Sequence, residues 1–257
     1  MLEPWTPTLN FNLTKLMVKE DFTTRSKLRD IGRWYVTSFV KDVSVNLPAG
    51  TLILDAGAGE CAYKKYFPHC RYMAVDLAVG EPNWNYANLD FVASLDSLPV
   101  KDNSFDAVLS TQTLEHLEYP REAVDDLCRV LKPGGRLFLT APMAQSEHQV
   151  PYDFFRYTSF GLRSICNSAG FTEIEIEPFN GMFTRWAYEA SEIMSIFPLL
   201  RDGQNKINWK SWRVISSLPL RVLFKLFIVI MQILFIKMDY FDREKKGPLG
   251  WKVVAKK

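Results

Sequence analysis

The sharpest chemical signal in the chain is the run Leu54-Asp55-Ala56-Gly57-Ala58-Gly59-Glu60-Cys61-Ala62. A short apolar stretch, Thr51–Asp55, ends there in a carboxylate and enters a glycine turn leading into a helix. Glycines at 57 and 59 allow tight backbone geometry and let a ligand approach the main chain. The spacing Gly57-x-Gly59-x-x-Ala62 also fits a dinucleotide fingerprint, so the turn alone leaves two ligand classes open. Asp55 separates them, because a carboxylate just before the turn repels a pyrophosphate and attracts a cationic amino-acid moiety. A second acid, Asp76, ends the next apolar run, Arg71–Asp76, where it can accept hydrogen bonds from ribose hydroxyls. The plainer alternative is that Asp55 caps a helix and Asp76 sits in an ordinary loop.

Histidine is the side chain whose unperturbed pKa best suits proton transfer near neutral pH. The chain has three. His69 follows Pro68 in a polar stretch and reads as a surface residue. His116, in Leu114-Glu115-His116-Leu117, follows a fourth apolar run, on the side where open α/β sheets bind ligands, and is the second catalytic candidate, with a structural or pocket-lining role as the alternative. His148 lies in the segment 146–157, which crowds acid, base, amide and aromatic groups past a fifth run. Tyr152, Asp153, Phe155, Arg156 and Tyr157 are expected to form a substrate wall there, with His148 as general base. The competing reading makes these aromatics a cap on the core and Asp153–Arg156 a local ion pair. No His/Cys/Asp cluster has ligand spacing along the sequence, so no metal is expected.

These groups need a scaffold. Thr51–Asp55, Arg71–Asp76, Leu89–Ala93, Phe105–Ser110 and Arg136–Ala141 are nearly continuous apolar runs, as strands covered on both faces require. Helical patterns lie between them, clearest at Pro120–Leu131, which stops at Lys132-Pro133-Gly134-Gly135. A helix from Thr158 to Ala169-Gly170, an alternating strand Phe171–Glu177 and a last strand from Gly250 follow. The expected fold is α/β: a doubly wound, Rossmann-like, mostly parallel seven-stranded sheet with an antiparallel last strand. Residues 1–50, with apolar spacing at Leu13, Leu16, Met17 and then Leu28 to Phe39, predict an N-terminal helical cap. Residues 51–178 with 248–257 form the core. Residues 179–247 are a helical insertion too long for a plain loop.

In this order and spacing, LILDAGAGE, YMAVD, SLPVKDNSFDAVLSTQTLEHL and LCRVLKPGGRLFLTAP resemble a class I S-adenosylmethionine-dependent methyltransferase. More narrowly, the chain is similar to small-molecule methyltransferases of the kind found with bacterial glycan gene clusters. The resemblance covers about half the chain. It implies that Asp55, Gly57 and Gly59 hold the methionine part of S-adenosylmethionine. Asp76 would bind the ribose, Leu77, Ser94 and Leu95 would face the adenine, and Thr111 would lie near the sulfonium. Two departures are visible: Cys61 stands where the family's turn has a third glycine, and Ser94 where an acid is often found.

Composition narrows the rest. Of 257 residues, 47% are hydrophobic and 23% charged, which excludes disorder and collagen-like repeats. Four cysteines without a CxxC pair suggest a reducing, cytoplasmic setting, and the first residues show no signal-peptide pattern. The net charge of +2 hides an asymmetry, since residues 201–257 hold 13 Lys+Arg against 4 Asp+Glu, a balance of +9. That segment includes the apolar stretch Pro219–Met238, with Arg221, Lys225 and Gln232 on one narrow stripe. Twenty residues rise about 30 Å, just enough to span a bilayer. A single crossing would strand the last strand on the wrong side, so a span is rejected. Peripheral contact with the inner face of a membrane through residues 200–246 is expected instead, with an interior helix or dimer seam as the alternative. Phe183, Trp186, Ala187, Ala190, Ile193, Met194 and Phe197 mark one face of a lid or core helix. The expected acceptor is a small molecule, glycan precursor or lipid-linked intermediate, and no nucleic acid. The alternatives are an NAD-binding oxidoreductase and a non-catalytic cofactor-binding membrane adaptor.

Overall fold

The computed structural model describes residues 30–196 and 212–257, with side chains for 30–192 and 222–257. Leu13, Leu16, Met17, Leu28, Phe197 and the side chains of Ile193 and Met194 lie outside them, as does most of the expected 1–50 cap. The cap's described part is helix α1, Ile31–Asn46, capped by Asp30, whose carboxylate accepts from the Arg33 N–H at 2.9 Å.

Seven strands form one sheet: β1 Leu52–Ala56, β2 Arg71–Asp76, β3 Phe91–Val92, β4 Phe105–Thr111, β5 Leu131–Pro142, β6 Thr172–Pro178 and β7 Gly250–Lys256. Their spatial order is β3-β2-β1-β4-β5-β7-β6. The first five are parallel, and β7 slots antiparallel between β5 and β6. The expected α/β sheet is therefore the observed one.

The continuous apolar runs are explained by burial on both faces. Leu54, Val108, Leu137 and Leu139 face α2 (Pro120–Val130) and α3 (Ser159–Ser168), packing with Val124, Leu127, Leu162 and Ile165. Their neighbours Ile53, Leu109 and Phe138 face the other way, onto Val36, Phe39, Val40 and Val43 of α1. Thr158 caps α3, its hydroxyl accepting from the Gly161 N–H at 3.1 Å.

Three local expectations need correcting. No α-helix follows the glycine turn; the chain makes turns and one short 3-10 segment, Lys64–Tyr66. Gly57, Gly59 and Cys61 all take positive φ there, which breaks helical continuity. Strand β5 begins at Leu131, not Arg136, because Leu131 already pairs with Phe105, and a register shift absorbs the Pro133-Gly134 turn. Strand β3 is only two residues long.

The insertion folds as α4, Met182–Ile196, and α5, Trp212–Met238, packed together. The Asp239 carboxylate accepts from the Gly181 and Thr184 N–H groups at 2.9 Å, satisfying donors at the start of α4 that have no partner within the helix. Ala187 and Ala190 are buried as expected, whereas Trp186 is half exposed against Phe235. Gln232, on the polar stripe of α5, turns inward and donates to the Ala187 carbonyl at 3.2 Å. Ile31, Ala187 and Leu249 tie this pair to α1 and the core. Among the described residues, no helix is long and apolar enough to cross a membrane.

Candidate active site

One cleft of about 410 Å³ opens at the C-terminal ends of β1, β2 and β4. The parallel sheet places it there, since the loops leaving adjacent strands diverge at that edge. Gly57, Gly59, Asp76, Leu77, Ser94, Leu95 and Thr111 all line it.

The turn holds its shape through backbone geometry. Gly57 has φ +82, and a Cβ added there would stand 2.2 Å from the Thr113 side chain. Gly59, at φ +52, faces the Trp84 ring, which lies 3.2 Å from where its Cβ would be. Cys61 also adopts a left-handed φ, +58, a conformation that glycine takes with less strain. Its thiol is buried, which raises its pKa to about 11, so it packs as a small apolar group. All four cysteines are free.

Asp76 sits at the cleft edge. Its carboxylate accepts from the Gly59 N–H at 2.9 Å and the Ala78 N–H at 2.8 Å. Each oxygen keeps a lone pair for a ligand hydroxyl. Asp55 is placed differently from the expectation. It is fully buried, accepts a hydrogen bond from the Tyr72 hydroxyl and does not line the cleft. Its other oxygen, Oδ1, is buried without a hydrogen-bond partner. Burial pushes its carboxyl up to about 7, against the opposing pull of Tyr72. Asp55 therefore anchors the strand end from which the turn departs.

The far end of the cleft is built by the 3-10 segment Leu114–His116 and the loop 143–157. His116 and His148 line it together, their rings edge to face with centroids 4.7 Å apart. His116 Nδ1 lies 2.5 Å from the Tyr152 carbonyl and His148 Nδ1 3.1 Å from that of Ser146. Burial holds the His116 pKa below its ordinary value. Tyr152 is on the cleft wall, but the other expected wall residues are not. Arg156 donates to both oxygens of Asp153, at 2.6 and 2.8 Å, and this holds the Asp153 carboxyl down at about 2. Phe155 is part-exposed beside Tyr157, and Tyr157 is buried, donating to the Leu114 carbonyl at 2.8 Å. These four brace the loop, which is the competing reading of the segment.

Several cleft residues carry no motif in the sequence. Arg33 and Tyr35 come from α1, Tyr188 from α4, Trp84 from the loop after β2, and Gln149 from the loop after β5. Trp84 had one usable signal, its place in the loop after a strand that ends in an acid.

Comparison with known proteins agrees with this geometry. Residues 54–139 match a family described as a methyltransferase domain. A malonyl-[acyl-carrier protein] O-methyltransferase from Hahella chejuensis is 35% identical over 104 residues, covering 37% of either chain. A demethylmenaquinone methyltransferase from Renibacterium salmoninarum is 36% identical over 130 residues, covering 48% of this chain and 53% of that protein. The chain spans from about a quarter to about half the length of the relatives it matches. Among solved structures, the [4+2]-cyclase SpnF superposes over 86% of this chain and 79% of its own, with TM-score 0.52 and 18% identity. That likeness is one of fold. Residues 54–139 thus match a methyltransferase domain, and the strand order and glycine turn around them have the class I S-adenosylmethionine-dependent, Rossmann-like form.

Proposed function

We propose that the protein transfers a methyl group from S-adenosylmethionine to a small-molecule acceptor. The observation that carries this reading is one continuous cleft. The glycine turn and Asp76 line one end, and His116, His148 and Tyr152 line the other. The residues fit the cofactor: Gly57 lets the main chain line the cleft where a Cβ would collide with Thr113, and Asp76 keeps acceptor capacity toward the cleft. Asp55 supports the site from behind, its hydrogen bond from Tyr72 tying the strand end that the turn leaves to the neighbouring strand.

When bound, S-adenosylmethionine supplies an electrophilic methyl on a sulfonium. The chain's own task is to align donor and acceptor, the main lever for such a displacement. The glycine turn and Asp76 fix one partner, and Tyr152 and the imidazoles shape the space for the other. The acceptor's proton leaves at the His116–His148 end, where nitrogen bases face the cleft.

Isothermal titration with S-adenosylmethionine and, separately, NAD tests this. Heat with the first alone is expected, weakened at least about 10-fold in Asp76→Ala, the scale of losing charged hydrogen bonds. Heat with NAD alone would favour an oxidoreductase. Because the fold also serves a cyclase, labelled methyl incorporation into cell extract decides between transfer and binding alone.

A second element extends the reading to a lipid-linked acceptor at the inner membrane face. On α5, Val222, Leu223, Leu226, Phe227, Ile230 and Leu234 are each between 46% and 63% exposed. This apolar face lies within the segment of balance +9, a pairing that suits anionic lipid. Flotation with anionic vesicles should fall in a Leu226→Ser/Phe227→Ser/Ile230→Ser variant. Equal flotation would remove the membrane from the reading and leave a soluble acceptor.

A further inference from the structure

Glu115 is the unexplained group of the acceptor end. Its side chain is completely buried, yet neither carboxyl oxygen has a hydrogen-bond partner. An unpaired carboxyl is among the most unfavourable groups to keep inside a protein. What stands next to it is two imidazoles. Glu115 Oε1 is 3.9 Å from His116 Nε2, and one ligand atom from each of Glu115, His116 and His148 lies within 4.8 Å of the others.

We propose that Glu115, His116 and His148 form a site for a divalent transition-metal ion, zinc foremost, open toward the acceptor. Two histidines and one carboxylate leaving a coordination position free is a donor set of catalytic zinc. Ligand atoms around tetrahedral zinc stand about 3.3 Å apart, given bonds of about 2.0–2.1 Å. The observed separations, 3.9 Å for Glu115–His116 and within 4.8 Å for all three, need to close by about 1.5 Å at most. The outer contacts have the form that orients metal-binding imidazoles, because each Nδ1 faces a backbone carbonyl, Tyr152 for His116 and Ser146 for His148. His116 Nε2 already accepts from the Gln149 amide at 3.3 Å, which marks it as the lone-pair nitrogen; the ion would displace that amide. Both imidazoles line the cleft, so an ion there would face the acceptor.

This deepens the methyltransferase reading and rests on it for the ion's role. An acceptor hydroxyl bound to the ion loses its proton more readily, leaving an oxygen nucleophile in place. The proton passes to solvent or to a neighbouring base, and the metal's oxidation state does not change.

The test uses the full chain, stripped with chelator and dialysed. Titration with zinc should show one equivalent bound, and cobalt(II) substitution should give the visible absorption of a low-coordinate nitrogen–oxygen site. His148→Ala should weaken zinc by more than about 100-fold, beyond the 10–100-fold typical of losing an outer-shell partner. His148 is on a loop, part-exposed, so this variant leaves the core intact. Glu115→Gln should abolish the zinc-induced rise in melting temperature. Zinc binding that is absent, or unchanged in both variants, overturns the proposal. Because the readouts need no S-adenosylmethionine, such a failure would leave the methyltransferase reading standing, with His148 as a direct base. Zinc binding without S-adenosylmethionine binding would instead sink that reading alone.

Discussion

The two ends of the cleft are built by different means. The turn end is local: Asp55 through Asp76 span two adjacent strands, and the geometry lives in backbone φ angles and main-chain N–H groups. The far end is assembled at long range, from a 3-10 segment after β4 and a loop after β5, while single residues of α1 and α4 also line the cleft. A backbone-built site tolerates almost no change at its glycines but tolerates Cys61 and Ser94. A side-chain-built site depends on braces such as Asp153–Arg156 that never touch the ligand space. The lesson is that damage to the first end should be read in cofactor affinity, and damage to the second in stability and acceptor chemistry.

Gly57→Ala should break the turn end most severely. The new Cβ meets Thr113 at 2.2 Å while φ is held at +82. We expect loss of about 4 kcal/mol or more of stability and of measurable cofactor binding, read by thermal unfolding and calorimetry. Retained affinity would show the turn to be softer than a backbone-built site allows.

Asp55→Asn sharpens the comparison through pH. With its carboxyl held at about 7, the folded chain binds this proton more tightly than the unfolded chain, whose ordinary value is 3.8. Wild-type stability therefore falls, relative to the variant, as pH rises from about 4 to about 7. The swing is at most about 4 kcal/mol. Denaturant unfolding at pH 4, 6 and 8 measures it, and parallel curves would mean that Tyr72 and the surroundings already neutralise the buried charge.

At the other end, Arg156→Ala strips the partner from a nearly buried carboxylate, costing roughly 2–3 kcal/mol by the displacement of its pKa. Asp153 is held at about 2, so the stability it contributes is present above about 4 and drains away as pH falls toward 2. The variant should lose that acid sensitivity while keeping cofactor affinity within about twofold. A large affinity loss would erase the distinction between the two ends. Thr158→Ala, which uncaps the helix that follows the acceptor loop, should cost only about 1 kcal/mol and leave both ligand readouts unchanged.

Legibility in the sequence followed the same division. Strands buried on both faces left unbroken apolar runs, so the sheet and the place of the cleft could be read directly. Gly57, Gly59 and Asp76 were legible as cleft-lining residues because their positions are set by neighbours in the chain. Asp55 was visible as an acid before a turn, but nothing in the spacing told that Tyr72 would claim it. In the loop, the crowding of Tyr152, Asp153, Phe155, Arg156 and Tyr157 was real, yet only Tyr152 reached the cleft. Aromatic and charged residues look alike in sequence whether they line a pocket or brace it. His116 and His148 were visible singly, but nothing in their spacing told that the chain, after passing through α2 and β5, would bring His148 back beside Glu115 and His116.

The central claim is that one sulfonium nucleoside lies along this cleft. A crystal structure with S-adenosylhomocysteine tests it most directly. The account predicts the ribose hydroxyls on the Asp76 carboxylate, the amino-acid end against Gly57 and Gly59, and the sulfur directed at the His116–His148 end. Nucleoside bound elsewhere, or bound here with Asp76 turned from the ribose, would contradict it.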